Sequence, residues 1–304
     1  MLARLQQLLV LAWLAALVTA IVWPWRAGHP WGSVAGALAV LSAHALWLLV
    51  SFGLMRWHNR RDPAPPATWR QWAKAWWGEV KAAPRVFGWR QPFRSQAEPD
   101  HVPVDAQGRI GVVLVHGFVC NRGLWTPWLR RLRAAGVPFV AVNLEPVLGP
   151  IDEYPPLIEA AVRRLEAATG QKPVLVGHSM GGLAIRAWLA RHQADDRVRR
   201  VITIGTPHQG TWLANWSHLA ANGSQMRPGG PWLQALAASE PTSRRALFLC
   251  LYGHGDNIVF PASNALLPGA ASLHIPGTAH VEMADHPAAW AALWAALGRE
   301  PAQA

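Results

Sequence analysis

Hydrophobic and polar positions change their period twice before the chain settles into a repeating pattern. Leu5 to Trp23 is nearly all apolar, and after the break PWRAGHPW a second run from Val34 to Met55 carries no charge. At 1.5 Å of rise per residue each run can cross a hydrocarbon layer of about 30 Å, so residues 1–60 are expected to form a transmembrane helical hairpin. A cleaved signal peptide ending at Ala20 is the alternative for the first run, but only Arg4 precedes its apolar core and a second span follows closely. From Thr68 to Lys81 the period is helical: Trp69, Trp72, Ala73, Trp76 and Val80 share one face, with Arg70, Gln71, Lys74 and Lys81 mostly on the other. That pattern predicts a helix lying in the headgroup plane, with packing on a folded domain as its rival. The stretch APRVFGWRQPFRSQAEPD is rich in breakers and reads as an irregular linker. Residues 61–105 are therefore expected to be a juxtamembrane segment.

From Ile110 onward short apolar runs alternate with amphipathic ones, which predicts an α/β domain over residues 106–304: a mostly parallel sheet of about six strands with helices on both faces. The strands are expected to start at Ile110, Pro138, Val174, Val198, Ala246 and Ser272. Asp152 is placed to cap a helix with Pro155 and Pro156 in its first turn and Gly170 at its end. An insertion at about 208–245 carries Trp212, Leu213, Trp216, Leu219 and Ala220 at helical spacing, then Trp232, Leu233 and Leu236 beyond RPGGP. It reads as a small helical cap over the site, with Trp212, Leu213 and Trp216 as acyl-chain contacts. A merely structural helix pair is the alternative.

Composition changes the picture in one respect. Net charge is +11, which raises nucleic acid as a partner, but nine basic residues against two acidic ones fall between Arg56 and Arg94, interleaved with six tryptophans. Next to two apolar runs that mixture points to a bilayer surface, contacted by 5–23, 34–55 and the basic segment, and not to nucleic acid. The loop between the runs has only Arg26, so both termini and the α/β domain are expected on the cytoplasmic side of the membrane. Trp23, Trp25 and Trp31 would then mark the far interface and Trp57 the near one. Two cysteines, Cys120 and Cys250, make neither a disulfide framework nor a zinc site. No metal and no cofactor is expected.

The candidate chemistry sits at strand ends, where α/β sheets collect reactive groups. Gly177-His178-Ser179-Met180-Gly181 follows the third strand and opens a helix. Such a turn forces the serine into a strained conformation with its hydroxyl exposed, and glycine at both flanks avoids clashes with strand and helix. A hydroxyl near neutral pH needs a base and an orienting acid. Asp256 in GHGDNIV and His280 in GTAHVEM follow the fifth and sixth strands in the required order. Asp285, Glu282, His286 and His254 are the nearest substitutes, while His274 is expected to point from a strand into packing. Oxyanion donors are expected from the amides of Met180 and Phe118, with His116 and Gly117 shaping the loop that carries Phe118.

VLVHGF, VGHSMGG, TIGTPHQGT, GHGDNIV and GTAHVEM, in this order, resemble the α/β-hydrolase superfamily, and within it the bacterial triacylglycerol lipase and esterase branch, over roughly Ile110 to Leu297. The resemblance implies Ser179 as nucleophile, His280 as base, Asp256 as orienting acid and Phe118 and Met180 as oxyanion donors. It implies a serine ester hydrolase acting on acyl esters and, with the apolar runs, a multi-pass protein of a bacterial-type inner membrane. Neither an acidic cluster for calcium nor a reason to pair the cysteines is present, which departs from secreted lipases of this branch. An acyltransferase using the same acyl-enzyme and a non-catalytic membrane scaffold are the alternatives.

Overall fold

The computed structural model describes residues 1–299. The six strands lie where the apolar runs place them: β1 Val112–Val115, β2 Phe139–Val142, β3 Val174–His178, β4 Arg200–Ile204, β5 Phe248–Tyr252 and β6 Ala271–His274. All pair in parallel, in the order β2-β1-β3-β4-β5-β6. Because helices cover both faces, the inner strands are apolar without alternation; β1, β2 and β3 are buried throughout. Only the edge strand β6 leaves residues exposed.

Before the sheet come α1 Leu2–Arg26, α2 Pro30–His58, α3 Trp69–Ala83 and the short α4 Gln91–Arg94. Within and after it come α5 Thr126–Ala134, α6 Pro155–Thr169, α7 Met180–His192, α8 Ala221–Gln225, α9 Pro231–Ala238, α10 Thr242–Arg245, α11 His280–Met283 and α12 Pro287–Ala296. One core lies under α6 and α7 and includes Ile158, Val162, Leu183 and Trp188. The other includes Trp125, Trp128 and Trp290, where the rings of Trp128 and Trp290 stand 4.1 Å apart.

Helices α1 and α2 form an antiparallel apolar hairpin held by close contact at small residues: a Cβ added at Gly36 would meet the Ala20 carbonyl at 2.7 Å, and Ser33 Oγ donates to the Ile21 carbonyl at 2.6 Å. Leu8, Leu9, Leu11, Leu38, Leu41 and Leu46 remain exposed on its outside.

Four expectations need correction. Helix α3 starts where expected, with Thr68 and Gln71 forming a capping box, but its tryptophan face is not free. Trp72, Trp76 and Val80 pack with Leu48, Phe52 and Met55 of α2 and with Phe260 and Ala279 of the α/β domain, leaving Trp69 exposed. An apolar helical face reads the same whether lipid or protein covers it. The expected linker is helical as far as Arg94, a π-type turn Pro84–Arg90 that continues directly from α3 and runs into α4. Asp152 does not cap α6. It lies in a 3-10 turn, and its carboxylate accepts from Gln225 Nε2 at 2.7 Å and Trp232 Nε1 at 2.8 Å, tying the insertion to the turn before α6. Within that insertion the first helical pattern yields only a 3-10 turn, Trp212–Trp216, whereas the second does form α9.

Candidate active site

Ser179 occupies the turn between β3 and α7 with φ 54° and ψ −129°, a conformation that costs a non-glycine residue of order 1–3 kcal/mol. The turn can be this tight because both flanks lack a side chain. A Cβ at Gly181 would meet the Val115 carbonyl at 2.3 Å, and one at Gly177 would meet Gly182 N at 2.7 Å. The Ser179 amide donates to the Ile204 carbonyl at 2.8 Å, which fastens the turn to the end of β4.

Across that strand end lies the acid–base pair. Asp256 Oδ2 stands 2.8 Å from His280 Nδ1, and both residues are buried. Asp256 Oδ1 is held separately by the amides of Ile258 at 2.9 Å and Val259 at 2.7 Å. Gly205, the residue after Ile204, faces the pair so closely that a Cβ there would lie 2.8 Å from Asp256 Oδ2 and 3.1 Å from His280 Nδ1. The ring of His178, next to the serine, stands 4.7 Å from that of His280. Burial opposes a charged imidazole at His280, but the charge and hydrogen bond of Asp256, together with the charge of Glu79, outweigh it and hold the pKa above the ordinary histidine value.

The loop after β1 approaches from the other side. A Cβ at Gly117 would sit 2.7 Å from Ser179 Cβ and 3.3 Å from its Oγ, so only glycine lets this backbone reach the serine. His116 Nε2 accepts from the Leu144 amide at 3.0 Å, which leaves Nδ1 as the donor to the Gly117 carbonyl, also at 3.0 Å. Holding that carbonyl fixes the peptide plane whose other end is the Phe118 amide. Burial pushes His116 down to about 4 and His178 down to about 3, so both are neutral orienting groups at neutral pH. His178 Nε2 donates to the His280 carbonyl at 3.1 Å. Among the described residues neither the Phe118 nor the Met180 amide donates a hydrogen bond, so both stay free for a developing oxyanion.

The substitutes considered for the pair are engaged elsewhere. Asp285 pairs with Arg90 at 2.7 Å, the Glu282 carboxylate packs at Gly78, His286 Nδ1 accepts from the Ala288 amide, and His254 meets His274 at 3.1 Å. His274 thus has a partner rather than a packed core around it. Of the three expected cap contacts, Trp212 stacks on Phe260 and, with Leu213, packs toward α2, while Trp216 is exposed. One residue near the site has no counterpart in the expectations: Glu79 of α3, buried with its carboxylate against the start of α11. No local pattern announces it, because its partners lie some 200 residues further on.

A parallel sheet whose third strand ends in a strained serine, with an acid and a histidine supplied by later strand ends, is the arrangement of the α/β-hydrolase fold. A family model described as "alpha/beta hydrolase fold" matches residues 111–250. That stretch, with the sheet it helps build, has the α/β-hydrolase fold. Among solved structures it is similar to the mature form of the lipase BlEst2 of Bacillus licheniformis, at 21% identity and a TM-score of 0.56, over 64% of this chain and 95% of that one. It is similar also to lipase B of Aspergillus fumigatus, at 19% identity and a TM-score of 0.56, over 68% of this chain and 57% of that one. At such identities the likeness is one of fold. No curated protein matches the sequence.

Proposed function

We propose that this protein is a membrane-anchored serine hydrolase of carboxylic esters, lipase- or esterase-like, whose substrate is an acyl ester of lipid character. Ser179 attacks the ester carbonyl, and its proton passes to His280 Nε2 while Asp256 holds the Nδ1 proton. The amides of Phe118 and Met180 carry the negative oxygen. The imidazolium then protonates the departing alcohol, and a water activated by the same imidazole releases the acid from the acyl-enzyme. The observation that supports this most is the strained serine at the end of β3 together with a buried Asp256–His280 pair at the neighbouring end of β4, because a structural protein gains nothing from that strain. The lipase names of the fold's relatives agree with it.

The anchor rests on length and exposure. Helix α2, with 29 residues, is about 43 Å long, and its last turns, Leu48 to Met55, are the part packed against the α/β domain. The remainder, residues 30–47, is about 27 Å long, within the range of lengths that cross a bilayer. The Lys and Arg bias keeps the catalytic domain on the cytoplasmic side in this reading.

Labelling by a fluorophosphonate probe tests the nucleophile. Wild-type protein is expected to label and Ser179→Ala is not; undiminished labelling of the variant would put the nucleophile elsewhere. Turnover of esters of graded chain length, with and without detergent, then reads the preferred acyl group.

A further inference from the structure

We infer that Glu79, carried by the helix that joins the apolar hairpin to the α/β domain, is a positioning residue that aims His280 and stabilises its charged form. The inference rests on the reading of Ser179, His280 and Asp256 as a triad. Glu79 is 2% exposed. Its carboxylate accepts from the Val281 amide at 3.1 Å and the Glu282 amide at 3.2 Å, the two peptide groups that directly follow His280 at the start of α11. With the His280 carbonyl taken by His178 Nε2 at 3.1 Å and its amide directed at Asn257 Oδ1 at 3.5 Å, the backbone of the base is tied to three separate elements. One of them, α3, lies outside the sheet domain altogether.

Amide capping alone does not explain a carboxylate, since a neutral glutamine would accept the same bonds without the cost of burying a charge. Burial does act on it, pushing the Glu79 pKa up to about 7 against the pull of His280 and of the two amides. The charges around it offer one beneficiary. Lys74 and Lys81 of α3 bear on Glu282, whose carboxylate sits against Gly78. Asp285 is taken by Arg90, His178 is neutral, and Asp256 repels. Among the described residues Glu79 has no lysine or arginine partner within ion-pair distance. What remains is the imidazole of His280, which turns positive when it takes the serine proton. Two carboxylates therefore bear on one histidine, Asp256 through its ring nitrogen and Glu79 through the peptide groups behind it.

The test is the pH dependence of ester hydrolysis by the full-length protein. Glu79→Gln keeps an acceptor and removes the charge. His280 must be neutral to accept the serine proton, and an adjacent anion raises its pKa, so losing that anion moves the acid limb of kcat/KM to lower pH, by up to about one unit because Glu79 itself takes up a proton at about 7. The matching loss of imidazolium stabilisation lowers kcat about tenfold while KM stays within about twofold. Glu79→Asp, which keeps the charge, is expected to retain the wild-type acid limb and carries the test should Glu79→Gln not fold. A folded Glu79→Gln protein with wild-type kcat and acid limb would overturn the inference, as would an acid limb displaced equally by Glu79→Asp. His280→Ala separates the two readings. If it stays active the triad itself fails, whereas an inactive His280→Ala beside an unaltered Glu79→Gln removes only the role of Glu79.

Discussion

Replacing Asp256 by asparagine is the sharpest single test of how the candidate triad works, because the surroundings of Asp256 dictate which way the new amide points. Oδ1 accepts two backbone hydrogens, from Ile258 at 2.9 Å and Val259 at 2.7 Å, and Oδ2 alone faces His280 Nδ1 at 2.8 Å. An asparagine that turned its NH2 toward Ile258 and Val259 would oppose donors to donors and leave one buried and one half-buried amide unpaired, at about 1–3 kcal/mol for the buried one. Its carbonyl oxygen must therefore keep those bonds, which presents the NH2 to His280. Nδ1 then has to accept, the ring proton moves to Nε2, and the nitrogen facing the serine can no longer take its proton. The side chain is isosteric, so folding is preserved while kcat falls by about 10³ to 10⁴. Steady-state hydrolysis of a short activated ester, with fluorophosphonate labelling rate as a second readout, measures it. A loss under tenfold in a folded Asp256→Asn protein would refute the tautomer argument.

Gly205→Ala should leave the fold standing but push its methyl between Asp256 Oδ2 and His280 Nδ1, at 2.8 and 3.1 Å, from a backbone at φ 56°; the expected loss in kcat is about 100-fold, and retention of a third of wild-type activity would contradict the placement. Glu240→Ala is a stability test. Glu240 grips the buried Arg186 of α7 at 2.7 and 2.8 Å, and its removal leaves a guanidinium with only the His208 carbonyl for company. A cost of about 3–5 kcal/mol, or roughly 6–20 °C in melting temperature for a domain of this size, is expected by thermal denaturation in detergent; a shift below about 2 °C would show the pair to be dispensable.

The parts of this site legible in the sequence are those whose cause is local. Gly177 and Gly181 stand out because the turn between strand and helix has no room for a side chain two residues either side of Ser179, and the inner strands stand out because burial on both faces demands apolar runs. Asp256 and His280 follow from chain order once the sheet is laid out. Glu79 was invisible for the opposite reason: in sequence it is one acid among arginines and tryptophans, and its meaning comes from Val281 and Glu282. Asp152 misleads similarly, since a cap position looks sufficient until Gln225 and Trp232 claim its carboxylate. The 3-10 turn at Trp212 shows the limit of periodicity itself, where helical spacing of apolar side chains reflects the shared surface of Phe260 and α2 and not a helix.

The contacts of the N-terminal segment argue that it does more than tether the domain. Gln6 of α1 donates to Gln91 at 2.7 Å, and the Gln91 carbonyl accepts from Asn121, three residues past Phe118 on the oxyanion loop. Ser51 of α2 meets Asn257, the residue after Asp256, at 3.4 Å. Glu79 of α3 holds the start of α11 directly after His280. The oxyanion loop is thus reached from α1 through Gln91, the residue after the acid is touched by α2, and the residues after the base are held by α3. These contacts converge on the carboxyl edge of the sheet, where the serine stands, and not on the opposite edge, where an inert tether would serve as well. Were the hairpin to span a bilayer as proposed, the membrane would border the catalytic edge of the sheet, and an ester with its acyl chains in lipid would approach Ser179 along α1 and α2.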